Sequence, residues 1–525
     1  MNNKLENTPS SHYIANKDDF LIPVMSFHSL KKAMRIIQEM LLYYFPLHEL
    51  GIEDFFRLMP LLIFAEATAY QTDEEYEIQL TSPLLTSTRL DILKRILSQA
   101  SVYDEQLETE LQRGIQYWQM ERALLSNVTF TEADIIESTR LKCCDYRYLH
   151  RLLFRLLNKP YDEELLELSW LVEQIGEIED DLLQYEDDLK RNVYNTYDLF
   201  VRLYAENAPQ RLQAYLDKLN KELQQQEARL AITRPQLVTR WLEVQQAYAE
   251  ANPSPAIPEP IINRPLASNS CVNANILPPI ELKPSFSYKA LTKALVIVEE
   301  IITYYFPLHG LTESDTFTYL TELIFAEAIL YQLDEEFEEQ THNPNFVSKH
   351  TEALRTVLGA RGLYDTALEQ ELQCGFNLWK LEQQMCSGGA FSEADIAKAM
   401  HYRCGDYRFL HRLLFLLTGQ PYNEQLIALC SLIEERGEIE DDLRQYHSDI
   451  QRNVYNSYRM LVRLYGKAAP ARLQQYLDKL EAKIEQQAEQ LAKTDPKWIS
   501  LGEAMQEAYY QEHPAPAIPE PVIET

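Results

Sequence analysis

The chain repeats itself with a constant offset of 261 residues. Four landmark segments recur in register: YYFPLH at 43–48 and 304–309, FAEA at 64–67 and 325–328, GEIEDDL at 176–182 and 437–443, and PAIPEP at 255–260 and 516–521. Solenoid repeats have periods of roughly 20–50 residues. A period this long therefore indicates a duplicated domain rather than a stack of small units.

The domain organisation follows from this offset and from the chain length of 525 residues. A single hydrophobic core rarely extends beyond about 250–300 residues, so two tandem helical domains are predicted, at 21–250 and 286–512. Prolines concentrate at 251–285 and 513–525. These segments are predicted to be a Pro-rich linker and a Pro-rich C-terminal tail, because such sequences form semi-rigid spacers. Residues 1–20 are predicted to be a polar N-terminal tail.

Residue usage indicates an all-α fold. Only 14 of the 525 residues are glycine, whereas Leu, Glu, Gln, Ala, Lys and Arg are abundant. These abundant residues lose little on entering a helix, and scarce glycine leaves few hairpin turns. Successive amphipathic helices are predicted in each copy, including one long helix over 163–204.

The formal net charge of −31 disfavours nucleic acid as a partner, because such a field repels a phosphate backbone. The seven cysteines form no CxxC pair, and a reduced, cytoplasmic setting is therefore expected. We expect no secretory signal at the polar start and no membrane span, because no apolar run reaches about 18 residues. Assembly into a homo-oligomer is left open.

An acidic motif follows FAEA in both copies. Its acidic members are Asp73, Glu74 and Glu77 in the first copy and Asp334, Glu335 and Glu338 in the second. Glu66 and Tyr70 precede Asp73 by seven and three residues, so one helix face carries all three. This face can be a metal site or a solvated acidic surface, and the pattern alone allows both.

A second motif lies 107 residues further along in each copy. It consists of Asp180, Gln184 and Asp188, and again of Asp441, Gln445 and Asp449. Residues at i, i+4 and i+8 form one stripe about 12 Å long on a helix. Neighbouring carboxylates repel each other, so we expect a cation between them. Hard oxygen ligands suit Mg²⁺, which completes its coordination shell with water and phosphate.

The two motifs together resemble those of class I terpene synthases. In that family a late helix carries (N/D)D-hydrophobic-x-(S/T)-x-x-x-E, to which DDLLQYEDD at 180–188 and DDLRQYHSD at 441–449 are similar. Here Gln replaces Ser or Thr, and Asp replaces Glu. Asp73-Glu74-x-x-Glu77 resembles the family's earlier DDxxD motif. The resemblance implies the isoprenoid-synthase type of helical bundle, several Mg²⁺ ions per site, and a lyase that ionises a prenyl diphosphate to a cyclised or rearranged terpene.

The same resemblance implies roles for residues outside the metal motifs. In such enzymes a basic residue between the two motifs contacts the diphosphate. The implied diphosphate-binding residues are Arg147, Arg151, Arg191 and Asn192, with Arg408, Arg412, Arg452 and Asn453 in the second copy. Arg147, Arg191, Arg408 and Arg452 are also implied to be catalytic, as are Tyr185 and Tyr446, which match a common tyrosine of the late motif. A structural ion pair of Arg147 with Asp145 or with another acidic helix is the alternative.

Other functions stay open at this point. The segment at 185–194, YEDDLKRNVY, also resembles the second acidic motif of squalene and phytoene synthases, so a prenyl-condensing enzyme is an alternative. A non-enzymatic helical scaffold with solvated acidic faces is another. A di-iron bundle is disfavoured, because it requires Glu-x-x-His motifs on two helices and the acidic stretches contain none. The product, the substrate chain length and the active half remain open.

Overall fold

The computed structural model describes residues 24–78, 88–126, 129–262, 285–339, 348–494 and 496–523. Within these ranges nearly all regular structure is helical, and the two strands have three residues each, which confirms the all-α class. We refer to residues 24–262 as the first half and to 285–523 as the second half. The polar tail predicted at 1–20 lies outside the described residues.

The first half begins with a short strand and continues through eleven helices in the described residues. They are β1 (Val24–Ser26), α1 (Phe27–Leu47), α2 (Ile52–Ile78), α3 (Thr88–Gln99), α4 (Glu105–Leu125), α5 (Glu132–Lys142), α6 (Cys144–Leu156), α7 (Glu163–Leu183), α8 (Tyr185–Arg191), α9 (Thr196–Tyr204), α10 (Ala208–Thr233) and α11 (Pro235–Ala251). A few 3₁₀ residues join α9 to α10.

The second half repeats this order. Its elements are β2 (Ser285–Ser287), α12 (Tyr288–Glu300), α13 (Thr316–Glu339), α14 (Lys349–Gly359), α15 (Thr366–Cys386), α16 (Glu393–Arg403), α17 (Gly405–Leu417), α18 (Glu424–Arg452), α19 (Ser457–Tyr465), α20 (Ala469–Ala492) and α21 (Lys497–Glu512). Helices α15, α16, α17 and α19 start 261 positions after α4, α5, α6 and α9. The duplicated register therefore extends to the helix starts, whereas the division into two separate domains stays a prediction.

Side-chain caps explain why these helices start where they do. Asp104 accepts hydrogen bonds from the backbone N–H groups at the start of α4, and Asp365 does the same for α15. Thr131 and Ser392 form reciprocal capping boxes with the aspartate three residues later, at the starts of α5 and α16. Each cap pairs backbone N–H groups that the first helical turn leaves unbonded.

The single helix predicted over 163–204 is wrong, because the chain breaks there into α7, α8 and α9. Asn192 ends α8 in the left-handed conformation, with φ 55°. Asn195 then caps α9 by accepting a hydrogen bond from the Asp198 N–H, which requires an extended backbone before the helix. In the second half α18 continues unbroken to Arg452, and Asn453 ends it with φ 55°.

One hydrophobic cluster, the shared core, extends across both halves, and each half also has a buried apolar cluster of its own. Strands β1 and β2 pair antiparallel, and α1 and α2 pack against α12 and α13. The Phe27 and Phe325 rings lie 4.6 Å apart, and those of Phe64 and Tyr288 lie 4.8 Å apart. Burial of large aromatic side chains is a major stabilising contribution, so each half supplies part of the other's core.

No single helix among the described residues is long and apolar enough to cross a membrane. One bent pair, Tyr288–His309 with Glu313–Phe337, meets the length and composition of a span, and its two arms form an angle of 117°. Leu291, Leu323 and Phe325 of this pair are buried in the shared core. Packing between the halves therefore accounts for its apolar composition.

Candidate functional site

A cavity of about 540 Å³ lies within the second half. Asp334 of α13 borders it from one side, and Asp441 and Gln445 of α18 border it from another. The cavity thus brings together side chains from both acidic motifs, which are 107 residues apart in the sequence.

Aromatic rings form much of the cavity wall. Tyr331, Trp379, Tyr407 and Tyr509 line it. The ammonium group of Lys293 lies 5.5 Å from the centre of the Tyr331 ring. Ring faces attract cations. The wall can therefore hold an apolar ligand that carries or develops positive charge.

Acidic side chains outnumber basic ones around the cavity by nine to three. Burial raises the pKa of Glu434 well above its usual value, and the neighbouring Glu300, Glu438 and Asp441 carboxyls raise it further. Burial likewise raises the pKa of Glu438 to about 8 and that of Asp406 to about 6. Carboxyls with such pKa values bind protons near neutral pH or require a cation. The wall is therefore built to attract positive charge.

Glu327 is a wall residue that lies outside the predicted set of metal ligands. Its side chain is only 1% exposed, and its Oε2 atom has no hydrogen-bond partner. Burial raises its pKa well above the usual value, and the Asp406 carboxyl adds to this shift. Glu66 in the first half has the same unpaired oxygen. The signal in the sequence was an acidic residue inside the apolar run LIFAEAIL at 323–330.

The third residue of the late motif lies in a separate network. Asp188 accepts hydrogen bonds from Arg191 at 2.6 Å and from Asn195 at 2.9 Å. Asp449 accepts the equivalent bonds from Arg452 and Asn456. Both aspartates are buried. The predicted stripe of three ligands thus divides: its first two members border the cavity in the second half, and its third member ties the end of the helix to the next one.

The first-half counterparts and the rest of the early motif have other surroundings. Asp180 faces Arg35, with 3.8 Å between Oδ2 and Nη2. Gln184 is exposed, as Gln445 is, but it lies at the junction of α7 and α8 rather than within one helix. Glu74 lies 3.4 Å from a ring nitrogen of His28, and Glu335 lies 2.6 Å from Lys289. Asp73 adds to the electrostatic field around Tyr117. The side chains of Glu77 and Glu338 lie outside the described residues.

The arginines on α6 and α17 form ion pairs with buried acids. Arg147 and Arg151 both contact Glu110, at 3.3 and 2.9 Å. The Arg147 guanidinium also stacks over Trp170 at 4.1 Å, and Arg151 binds Glu163 at 2.8 Å. This is the ion-pair arrangement that the sequence left open for Arg147.

The second half repeats this network. Arg408 and Arg412 contact Glu371 at 2.7 and 3.0 Å, and Arg412 also binds Glu424. Glu371 borders the cavity, whereas the basic residues on the cavity wall are Lys293, Arg403 and Arg436. Arg403 forms ion pairs with Asp442, at 2.7 Å, and with Glu438.

The remaining residues implied to bind diphosphate lie at helix ends. Arg191 and Arg452 are largely exposed, and each binds the aspartate three residues earlier. Asn192 and Asn453 end their helices with positive φ. The Asn453 side chain also accepts a hydrogen bond from Arg459 at 2.9 Å. Neither Arg452 nor Asn453 is among the residues that line the second-half cavity.

The two motif tyrosines anchor the Pro-rich segments. The Tyr185 hydroxyl accepts a hydrogen bond from the Ile261 N–H at 3.1 Å, and the Tyr446 hydroxyl accepts one from the Val522 N–H at 2.8 Å. The neighbouring Tyr197 and Tyr458 each donate to a proline carbonyl at 2.6 Å. In the described residues, both Pro-rich segments therefore lie against the helices that carry the late motif.

Magnesium can be tested against the donor atoms of the cavity. Among the described residues, no group of three or more His, Cys, Asp or Glu side chains is arranged to hold a metal ion. Mg²⁺ is commonly bound by one or two carboxylates, with phosphate and water completing its shell. Asp334, Asp441 and Gln445 supply hard oxygens of this kind, and Glu327 has a buried oxygen without a partner. The wall therefore supplies oxygens of the type that Mg²⁺ prefers, without an all-protein cage for the ion among the described residues.

Comparison with known proteins gives no relative from which to transfer a function. No family model matches the chain, and no curated protein or solved structure matches it either. The cavity's chemistry must therefore be inferred from its own residues.

Proposed function

We propose that the chain is a magnesium-dependent enzyme of the class I terpene synthase type, which ionises a prenyl diphosphate in the second-half cavity. One observation carries this proposal. Asp334 from the early motif and Asp441 from the late motif border a single cavity with aromatic walls. A scaffold with two unrelated acidic surfaces would have no reason to place both motifs at one cavity.

The proposed roles follow from position on the wall. Asp334, Asp441 and Gln445 would hold Mg²⁺, which when bound neutralises negative charge on a departing diphosphate. Lys293 is exposed and stacks over Tyr331, so it can meet phosphate oxygens as they enter. The arginines of α17 would act indirectly, by fixing Glu371 in the wall.

The apolar part of the wall would hold the prenyl chain. Ile297, Leu330 and Phe409 line the cavity together with the aromatic rings. A volume of about 540 Å³ lies within the range of roughly 300–1,000 Å³ that is typical of small-molecule sites. Enclosure by these side chains would exclude water, which otherwise captures a carbocation early.

The test is diphosphate release by the full chain. We expect release from geranyl, farnesyl or geranylgeranyl diphosphate in the presence of Mg²⁺ and none in EDTA. Asp334→Asn combined with Asp441→Asn should lower the rate by roughly 100-fold or more, because both changes remove carboxylates that would hold the Mg²⁺ that neutralises the departing diphosphate. The exposed carboxylate of Asp478 in α20 offers a matched control, and Asp478→Asn should leave the rate unchanged. Release that survives the double substitution would remove both aspartates from the mechanism.

Product analysis in the same assay separates this proposal from the condensing alternative. A terpene synthase would convert one prenyl diphosphate into a terpene with the same number of carbons, whereas a condensing enzyme would join two prenyl units. If none of the three substrates is bound or turned over, the non-enzymatic helical scaffold would be favoured.

Binding of an organic cation is a second candidate, and the excess of acidic over basic wall residues favours it. Carboxylates and ring faces together form a good site for amines and quaternary ammonium groups. Calorimetry with spermidine in EDTA tests this candidate. Saturable binding that Asp334→Asn weakens, without any diphosphate release from prenyl substrates, would favour the second candidate over the first.

A further inference from the structure

The repeat allows each wall residue of the second-half cavity to be compared with its counterpart 261 positions earlier. Most of the pairs are identical or similar, including Glu300 with Glu39, Tyr331 with Tyr70 and Asp406 with Asp145. Leu330, Tyr402 and Tyr510 correspond to the smaller Ala69, Leu141 and Ala249, and Phe409 gains only a hydroxyl as Tyr148. Three other wall positions gain more bulk in the first half. Val296, Leu378 and Gly405 correspond to Arg35, Tyr117 and Cys144.

Arg35 is the first-half counterpart of Val296, which lines the second-half cavity. Its guanidinium extends from α1 to within 3.8 Å of the Asp180 carboxylate on α7. It also lowers the pKa of Glu39, opposing the larger effect of burial, which raises it. The first half thus places a cation of its own between these acidic groups.

The second half lacks this bridge. Val296 replaces the arginine and is 56% exposed at the cavity wall. Asp441 instead pairs with Arg444 of its own helix, at 2.6 Å, where the first half has Leu183. An ion pair within one helix leaves the space between α12 and α18 open, whereas the first-half pair crosses it.

Tyr117 lies among first-half residues whose second-half counterparts line the cavity. Its ring lies 5.9 Å from that of Tyr194, and its hydroxyl lies 3.4 Å from Glu121. The second-half equivalents of these two partners, Tyr455 and Glu382, both line the cavity. At the position of Tyr117 the second half has the shorter Leu378, which leaves room between them.

Cys144 also fills space among the first-half counterparts of cavity residues. Its sulfur lies so close to Gly114 that a Cβ atom on that glycine would be only 3.2 Å away. In the second half the corresponding residues are Gly405 and Gly375, and both line the cavity. No side chain projects from either of them, so the space that Cys144 fills in the first half belongs to the cavity in the second.

From these differences we infer that only the second half takes the ligand, and that Arg35, Tyr117 and Cys144 close the equivalent site in the first half. The identity of the ligand, a prenyl diphosphate with Mg²⁺, rests on the proposed function. Because the two halves differ, we expect one ligand to bind per chain. The first half then contributes to the shared core and supports the second.

The stoichiometry can be measured by calorimetry of the full chain with Mg²⁺ and a thiolodiphosphate analogue of farnesyl diphosphate, which resists ionisation. We expect one site per chain. Val296→Arg, Leu378→Tyr and Gly405→Cys together should weaken this binding by about 100-fold or more, because they recreate the first-half bulk in the cavity. Arg35→Val, Tyr117→Leu and Cys144→Gly together should raise the count to two. Circular dichroism and thermal unfolding verify that both triple variants fold.

Each outcome supports or overturns the inference. Two sites in the unaltered chain would overturn it and leave the proposed function intact, as would full binding by a folded variant with the second half filled. If the triple variant with the added second-half bulk does not fold, the variant Arg35→Val, Tyr117→Leu and Cys144→Gly is decisive. If that variant still binds one ligand per chain, the three residues do not close the first-half site.

A measurement without ligand separates this inference from the proposed function. In the full chain carrying Gly405→Cys, alkylation by iodoacetamide can be followed at each cysteine by mass spectrometry. The new thiol in the open cavity should react at least about tenfold faster than Cys144, whose pKa burial raises well above the usual value. Equal rates would overturn the inference, even if prenyl diphosphates prove not to bind at all.

Discussion

Buried carboxyls without counterions set the chemistry of the cavity at the scale of single residues. Glu327 is the clearest case, because its Oε2 atom has no partner and its pKa is raised by burial and by Asp406. The unfolded chain releases this proton near pH 4.3. A raised pKa in the folded chain therefore means that folding stability falls as pH rises above that value.

Glu327→Gln tests this effect, because the amide keeps the shape of the side chain and removes the charge. We expect the variant to be more stable than the unaltered chain at pH 7–8, by roughly 1–3 kcal/mol, and to differ little at pH 4. Thermal unfolding across this pH range measures the difference. The exposed Glu507 provides the control, since Glu507→Gln should change stability little at either pH. Lower stability of Glu327→Gln at pH 8 would contradict the assignment.

Sequence patterns predicted which polar residues border the cavity, but not which side chains bind each other. Asp334, Asp441 and Gln445 were predicted from spacing, and all three border the cavity. Asp449 shares their helix stripe, yet its place in a separate network depends on Asn456, which also caps the next helix. Which acid pairs with Arg408 could not be predicted either, because Glu371 is 37 residues away and many acids compete.

Pro-rich segments behave as docked elements rather than as free spacers. The segment after α21 packs Ile518 against the second-half core and is held by Tyr446 and Tyr458. The spacing of prolines indicated an extended conformation but gave no surface for it. The surface arises only when α18 and α19 bring their two tyrosine rings to within 4.8 Å.

Removal of residues 513–525 should therefore destabilise the second half. The hydrogen bonds of this segment to Tyr446 and Tyr458, of about 1 kcal/mol each, are lost together with the exposed contacts of Arg444 to the His513 and Pro514 carbonyls and the apolar burial of Ile518. We therefore expect a decrease in unfolding free energy of roughly 2–4 kcal/mol. Urea denaturation measures it. Tyr446→Phe keeps the ring and removes one acceptor, and it should cost only about 1 kcal/mol. A truncated chain as stable as the full one would show that the docked segment contributes nothing.

At the scale of the whole molecule, duplication has produced two halves whose first helices pack into a shared core. Residue usage predicted the all-α class and the 261-residue offset predicted the repeat, because neither requires knowing which helices meet. The shared core could not be predicted in this way, since the apolar residues of α1, α2, α12 and α13 could equally have filled two separate cores. Pairing of β1 with β2 and contacts such as Phe27 with Phe325 show that they fill one.

Phe325→Ala tests how far this sharing couples the halves. The ring is fully buried between Phe27 and Phe286, so its loss should cost roughly 3–5 kcal/mol. Because the first half supplies one of these contacts, hydrogen exchange should accelerate in α1 and α2 as well as in α12 and α13. Phe200→Ala is the matched control, since that buried ring packs only against Tyr204 and Tyr215 among its ring contacts, and its effect should concentrate in the first half. If the effect of Phe325→Ala stays within the second half, the two halves behave as independent domains and the shared core does not couple them.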